Sequence, residues 1–193
     1  MRGHHPIVET ILREWLPATP ANILDAGCGQ GEISLRMVEL GHRVAAIDLP
    51  GRSLDLANKL REESAAQWKI VAGSVENPEF PKASFDVIVS VEVIEHLYRP
   101  VTALMNLASL LKPGGTLILS TPYHGYLKNL AICVTGKWDW HHSPLHEGGH
   151  IKFWSKQTLT AALKKADLAP VDWRGVGRVP LLWKSIMVRA VKQ

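Results

Sequence analysis

The sequence predicts an α/β fold in which helices cover both faces of a mostly parallel sheet. Short apolar runs alternate with segments of helical periodicity, as in strands joined by crossover helices. Residues 87–89, Val-Ile-Val, form the continuous apolar run of a strand buried on both faces. A glycine-rich turn at residues 27–31 follows the first apolar run, where a strand would pass into a helix. Together these features favour a doubly wound, Rossmann-like architecture.

The first half of the chain contains three predicted strands, each next to a helix. Pro17 ends the first helix, because proline lacks the backbone N–H that a helix interior needs. Gly41 is the expected C-terminal stop of the second helix, and Ser53 is expected to cap the third. The predicted elements are a helix over 7–16, a strand over 22–26, a helix over 32–40, a strand over 43–49, a helix over 53–66 and a strand over 69–73.

The second half predicts four more strands and a long insertion. Pro100 suits the first turn of a helix, which ends before the Lys-Pro-Gly-Gly sequence at 112–115. Ser155 caps a later helix. Residues 123–150 are weakly periodic and rich in His, Trp and Gly, so we expect a lid insertion on the substrate side. The predicted strands are 85–91, 116–120, 169–175 and 185–191. We therefore expect one domain, residues 1–193, with a seven-stranded sheet.

Composition fits a protein with one hydrophobic core. The chain has 193 residues, of which 46% are hydrophobic. No apolar run is long enough to cross a bilayer, and the first residues lack the apolar segment of a signal peptide, so we expect a cytoplasmic location. Cys28 and Cys133 are then expected to be reduced thiols. The net charge of +4 contains no run of like charges, so it permits an anionic partner but does not indicate nucleic acid.

The glycine turn and an acidic residue on the second strand predict a nucleoside cofactor site. Glycines at 27, 29 and 31 let the backbone turn tightly and approach a ligand. Asp25 precedes the turn, and its carboxylate would repel a pyrophosphate but attract a cationic amino acid ligand. Asp48 ends the second strand, where it can accept hydrogen bonds from both hydroxyls of a ribose. S-adenosylmethionine (SAM), with its ammonium, sulfonium and carboxylate groups, suits this mixed site.

Four segments resemble motifs of the class I SAM-dependent methyltransferases. They are residues 22–31, 84–88, 92–97 and 110–115. The two final strands are similar to that family's closing hairpin, so we expect an antiparallel C-terminal strand. Within the family, the motifs are nearest to the ubiquinone-biosynthesis O-methyltransferase group. The resemblance implies a cofactor site formed by Asp25, Gly27, Cys28, Gly29, Asp48, Leu49, Ser74, Val75 and Val91. Ser74 stands where many relatives have aspartate, which predicts weaker recognition of the adenine amino group.

Two glutamates and a histidine after the fourth strand are candidate metal ligands. If Glu92 opens a helix, the spacing i, i+3, i+4 places Glu92, Glu95 and His96 on one face. Carboxylates and imidazole can ligate Mg²⁺, Mn²⁺, Fe²⁺ or Zn²⁺. Such a metal could lower the pKa of a substrate hydroxyl and orient its oxygen. The alternative is structural: Glu92 would hydrogen-bond near the cofactor and His96 would cap or pack.

Several histidines further along the chain are candidates for the same chemistry. The segment 149–155 resembles a stretch of the small-RNA 3′-terminal 2′-O-methyltransferases, in which a histidine completes a Glu-x-x-Glu-His metal site. The matching residue here is His150, which we treat as both a metal-ligand and a catalytic candidate. Four histidines of the insertion are further candidates for a general base, since histidine titrates near neutral pH. They are His124, His141, His142 and His146, and His124 and His146 are the preferred ones.

The leading functional hypothesis is a SAM-dependent O-methyltransferase that acts on a hydroxyl of a small molecule such as a quinone precursor, a phenolic compound or a glycan. The alternatives are an RNA terminal 2′-O-methyltransferase, a non-catalytic SAM-binding scaffold and a nicotinamide-dependent dehydrogenase. No strong basic stripe supports the RNA alternative. Apolar and aromatic residues in the lid, together with Lys128 and Lys137, also suit peripheral contact with a membrane surface.

Overall fold

The computed structural model describes residues 5–142, 145, 148–177, 179–180 and 182–193, with side chains described from residue 8. The helices in these ranges are α1 His5–Trp15, α2 Glu32–Glu39, α3 Arg52–Ser64, α4 Pro100–Leu110, α5 Tyr126–Val134, α6 Trp138–His141 and α7 Lys156–Lys165. The strands are β1 Asn22–Ala26, β2 Arg43–Asp48, β3 Lys69–Ala72, β4 Phe85–Val91, β5 Leu111–Pro122, β6 Leu168–Val176 and β7 Ser185–Lys192. A single 3₁₀ turn, Ile94–His96, lies between β4 and α4.

The strands form one seven-stranded sheet in the order β3-β2-β1-β4-β5-β7-β6. Strands β1 to β5 pair in parallel with one another, whereas β7 pairs antiparallel with both β5 and β6. This confirms the predicted Rossmann-like fold with an antiparallel C-terminal strand. The order reverses between β1 and β4, and ligands of such sheets bind outside the carboxyl ends of the strands at this switch point.

The sheet separates two hydrophobic cores because successive side chains of a strand point to opposite faces. Leu24 and Ile88 belong to the core under α4 and α7. Their neighbours Ile23 and Val89 belong to the other core, which includes α1 and α2. All four side chains are fully buried, so the central strands that carry the site are anchored on both sides.

Local signals predicted the start of α7 correctly and the start of α3 incorrectly. Ser155 forms a capping box, in which its hydroxyl accepts from the Thr158 N–H and the Thr158 hydroxyl accepts from the Ser155 N–H. Ser53, by contrast, does not cap α3, which begins at Arg52 directly after Gly51. Gly51 has φ 149°, a conformation that glycine adopts without strain, and the helix therefore starts one residue earlier. None of the helices in the described ranges has the length and apolarity to cross a membrane.

Candidate functional site

The glycine turn is fixed between β2 and the residues that follow β4. The N–H groups of Gly27 and Cys28 both donate to the carbonyl of Ile47, at 2.8 and 3.2 Å. Gly27 has φ +86°, and a Cβ there would lie 2.3 Å from Cγ2 of Val93. Gly31 has φ +83° and packs against Ala57 of α3. Both glycines are therefore required by conformation and by close packing.

Asp48 joins the end of β2 to the glycine turn. Its Oδ2 accepts from the Gly29 N–H at 2.6 Å, and its Oδ1 accepts from its neighbour Leu49 at 2.7 Å. Among the described residues, no atom lies within 4 Å of where a Cβ on Gly29 would stand, and the Leu49 side chain is 61% exposed. The open backbone and the half-buried carboxylate, whose oxygens keep further lone pairs, fit the amino acid and ribose parts of SAM.

Asp25 lies beneath the turn rather than on its open side. Its side chain is 1% exposed and accepts a 2.5 Å hydrogen bond from the hydroxyl of Ser34 in α2. Burial, with a smaller contribution from the charge of Asp48, raises the pKa of Asp25 to about 7. The carboxyl group can thus change its charge near neutral pH while it holds β1 against α2.

The other residues expected to contact the cofactor lie around the same edge of the sheet. Ser74 is half-buried, and its hydroxyl accepts from the Glu76 N–H at 3.1 Å. Val75 is buried and Val91 is half-buried at the end of β4. Burial raises the pKa of the Cys28 thiol to about 12, so this thiol is an unreactive packing group. The cofactor roles of these residues stay predictions.

Glu92 and Glu95 separate because no α-helix begins at Glu92. Glu92 has φ +56°, in the left-handed region, and a 3₁₀ turn follows it. The Glu92 carboxylate accepts from the hydroxyls of Ser120 at 2.8 Å and Ser185 at 3.3 Å. Glu95 is 0% exposed and accepts from Thr121 of β5 at 3.0 Å. Strained backbone of this kind is concentrated at functional sites.

Glu95 forms a compact group with two histidines. Its Oε1 lies 4.0 Å from Nε2 of His96 and 4.0 Å from Nε2 of His150. One ligand atom from each of the three residues lies within 4.8 Å of the others. Glu92 is not part of this group. The structure therefore brings together three of the four predicted metal ligands, and the fourth faces serines.

Two features of the group fit a cation. Oε1 of Glu95 is buried and has no hydrogen-bond partner among the described residues. Nδ1 of His96 lies 3.2 Å from the carbonyl of Gly149 and must donate to it, which leaves the Nε2 lone pair on the side of Glu95. Burial, with the charge of Glu92, raises the pKa of Glu95 to about 8, and a bound cation would favour its ionised form.

The backbone holds His150 in place. The N–H groups of Ile151 and Lys152 both donate to the carbonyl of Glu95 at 3.0 Å. This pair of hydrogen bonds fastens the segment before α7 to the turn after β4. Residues 53 positions apart in the sequence, His96 and Gly149, thereby meet.

Of the two preferred general-base candidates in the lid, the structure describes only one. His124 is 8% exposed, and burial with the charge of Lys128 lowers its pKa to about 3. A base this weak does little proton transfer at neutral pH. His146 lies outside the described residues.

The sequence interpretation missed the hydroxyl groups that hold the acidic residues. Ser34 binds Asp25, Ser120 binds Glu92 and Thr121 binds Glu95. One signal was available for two of these residues: a polar Ser-Thr pair closes the apolar run of β5 at residues 120–121. The sequence does not distinguish Ser34 from the exposed polar residues of α2, and only the packing of α2 on β1 reveals its role.

The chain is similar to known methyltransferases in sequence and in structure. A family model described as a methyltransferase domain matches residues 2–172. A ubiquinone biosynthesis O-methyltransferase from Cereibacter sphaeroides is 34% identical over 170 residues, which cover 87% of this chain and 68% of the relative. The YcgJ protein from Bacillus subtilis superimposes with a TM-score of 0.80 at 16% identity, over 98% of this chain and 99% of the other.

A third comparison concerns a structure with bound ligands. The 1,6-didemethyltoxoflavin-N1-methyltransferase from Burkholderia thailandensis, solved with 1,6-didemethyltoxoflavin and S-adenosylhomocysteine, has a TM-score of 0.75 at 23% identity. The match covers 97% of this chain and 77% of the other. At these identities the two structural matches show a shared fold.

Proposed function

Because the chain belongs to the SAM-dependent methyltransferase family, we propose that it transfers the methyl group of SAM to a hydroxyl oxygen of a small molecule. The observation that carries the choice of a hydroxyl acceptor is the group Glu95, His96 and His150 at the cofactor edge of the sheet. Hard oxygen acceptors are the natural partners of a site that joins carboxylate and imidazole ligands around a divalent cation. The name of the Cereibacter relative, an O-methyltransferase, supports the same acceptor atom.

The glycine turn and Asp48 bind and orient the donor. The backbone of Gly29 is open, and the carboxylate of Asp48 is fixed by two backbone N–H groups. When bound, SAM supplies the methyl group on its sulfonium. Catalysis then depends mainly on positioning, since holding two reactants in line can contribute several kcal/mol to the barrier reduction, on the order of 7–11 in favourable cases.

Glu95, His96 and His150 would hold a divalent metal in this proposal. A bound metal would lower the pKa of the acceptor hydroxyl and fix the direction of its oxygen. Glu92 has a different role: it links β4 to Ser120 and Ser185 and so keeps the strand end in place. The alternative, in which the three residues act without a metal, predicts activity that resists chelation.

The lid is proposed to select the acceptor, within a single domain that spans the chain. A cavity of about 560 Å³ lies beside α5 and α6, and its lining combines apolar residues such as Ile132 and Leu182 with the polar residues Lys128, Lys137 and His141. The apolar part of this lining suits an aromatic ring or an apolar substituent, and the polar part can bind a polar group on it. Tyr126 and Val134 on α5 and Trp140 on α6 are 78–79% exposed. Exposed apolar side chains in a lid also support the proposal that it touches a membrane surface, for which cosedimentation with lipid vesicles is the test.

The experiment that tests the proposed function is methyl transfer from isotope-labelled SAM to a panel of catechols, phenols, glycans and short RNAs. We expect label on a small-molecule hydroxyl, and less transfer with Asp48→Ala. Label on RNA alone would support the RNA alternative, and SAM binding without transfer to any acceptor would support the scaffold.

The metal part of the proposal has its own test. After exhaustive chelation, activity should fall and return with a divalent ion. Glu95→Gln and His150→Ala should lower kcat by about 100-fold or more, as expected for loss of a metal ligand, while SAM affinity stays near that of the wild type. Full activity after chelation would contradict the metal and leave the methyl-transfer proposal intact.

A further inference from the structure

A second cluster of histidines lies in the lid, apart from the group at Glu95. His124 follows β5, His141 ends α6 and His142 comes directly after it. One ring nitrogen from each residue lies within 4.8 Å of the other two. The ring centroids are 5.8, 5.5 and 4.9 Å apart for the pairs 124–141, 124–142 and 141–142. Three imidazoles from two separate elements thus converge on one point.

Two ring nitrogens of the cluster are buried without a well-aligned hydrogen bond to the described residues. They are Nδ1 of His124 and Nε2 of His142. The side chain of Asn129 is a weak neighbour of His124 and opposes the lowering of its pKa. A buried polar atom without a partner is costly and rare, so each one needs an explanation. An imidazole nitrogen that bonds to none of the described residues has a lone pair or an N–H available for a ligand.

We propose that His124, His141 and His142 form a site for a divalent transition metal of the zinc class, which fastens α6 to the carboxyl end of β5. None of the three histidines belongs to the group at Glu95, and His141 also lines the cavity beside α5 and α6. Zinc binds imidazole nitrogen at about 2.0–2.1 Å, and tetrahedral ligands at that distance are about 3.3 Å apart. The ligand nitrogens lie within 4.8 Å of one another, so each pair must approach by up to about 1.5 Å for zinc to bind. Side-chain rotations can provide a movement of this size.

The surroundings set the character of the site. Lys128 is buried, and its Nζ donates to the carbonyls of Tyr123 and Lys184 at 2.6 and 3.3 Å. Burial, with a smaller contribution from the charge of Lys128, lowers the pKa of both His124 and His142, and the neutral form that this favours is the form that binds a metal. The same charge opposes a second cation, so we expect weaker binding than in a site with carboxylate ligands.

A backbone hydrogen bond holds His124, whereas the helix that carries His141 is not packed into the core. The N–H of His124 donates to the carbonyl of Trp154 at 2.8 Å, which ties this residue to the segment before α7. Helix α6, in contrast, has no buried residue. A metal shared by His124 and the end of α6 would supply the attachment that hydrophobic packing does not.

The competing interpretation is an aromatic stack. The ring centroid of Phe153 lies 4.9 Å from that of His124 and 5.0 Å from that of His142. The ring centroids of Trp138 and His142 are 4.3 Å apart. Ring contacts of this kind stabilise a structure without any metal. The variant His142→Phe separates the two interpretations, because it keeps an aromatic ring and removes the ligand nitrogen.

The test is a titration of the His150→Ala variant with Co²⁺ and with Zn²⁺, so that the group at Glu95 lacks one of its ligands. We expect one equivalent to bind, with visible d–d absorption for Co²⁺, and about a 100-fold loss of affinity with His142→Phe or His141→Ala, since even changes outside the ligand set cost 10–100-fold. Asp139→Ala, on the same helix, is the matched control and should bind as its parent does. Equal binding by the parent and by His142→Phe would overturn the site.

The second readout is tryptic cleavage after Lys137, which is exposed at the start of α6. Saturating Zn²⁺ should slow this cleavage by about tenfold or more in the parent and in Asp139→Ala, and leave the rate unchanged in His142→Phe. If His142→Phe fails to fold, His141→Ala provides the same comparison. Binding of the metal without protection would overturn the fastening of α6.

Discussion

Replacing Asp25 by asparagine should change how stability depends on pH. Asp25 is fully buried, and its pKa is raised from 3.8 to about 7, so the folded state keeps a proton that the unfolded state releases. The folded protein therefore loses stability as pH rises from about 4 to 7, and the loss is constant at higher pH. Asparagine has no such equilibrium and can still accept from the hydroxyl of Ser34.

The size of the effect follows from the two pKa values. At pH 5 the unfavourable contribution of Asp25 is about 2 kcal/mol, and at pH 8 it is about 4 kcal/mol. The difference in unfolding free energy between Asp25→Asn and the wild type should thus shift by about 2–3 kcal/mol in favour of the variant over this range.

Urea denaturation followed by circular dichroism at pH 5, 6, 7 and 8 measures this shift directly. Asp55→Asn, which changes an exposed carboxylate on α3, is the matched control and should not reproduce the shift of about 2–3 kcal/mol expected for Asp25→Asn, because its carboxylate is not buried. A difference for Asp25→Asn that is independent of pH would refute the argument that burial of this carboxyl group controls its protonation.

Two further substitutions probe the turn and the helix cap. Gly27→Ala should destabilise the protein by about 2–5 kcal/mol, because alanine is strained at φ +86° and its Cβ meets Val93; adding Val93→Ala should recover part of the loss in the same denaturation experiment. Ser155→Ala should cost about 1 kcal/mol through loss of the capping box with Thr158, and a change below about 0.3 kcal/mol would show that the cap contributes little.

The parts of the structure that follow from local sequence patterns were predicted correctly. The apolar run of β4 and the glycine turn after β1 each identify an element from a few adjacent residues. Because parallel strands bring their carboxyl ends to one edge, Asp48 at the end of β2 lies beside the turn, where it accepts from the Gly29 N–H. Its role in binding the ribose stays a prediction.

The arrangement of the acidic groups depends on tertiary contacts that periodicity does not encode. The helical spacing of Glu92 and Glu95 suggested one face, but Ser120 and Ser185 draw Glu92 to the side of β5 and β7. The resemblance places Asp25 in the cofactor site, whereas Ser34 and the packing of α2 hold its side chain beneath the turn. In each case a hydroxyl from another element decides where the carboxylate lies.

The most direct measurement is a calorimetric titration with SAM and, in parallel, with NAD. Wild-type protein should bind one equivalent of SAM and no NAD. Asp48→Ala should weaken SAM binding by about tenfold or more, since a hydrogen bond to a charged group contributes about 1.5–3 kcal/mol. Absence of SAM binding, or equal affinity in the wild type and in Asp48→Ala, would contradict the assignment of the glycine turn and Asp48 as the cofactor site.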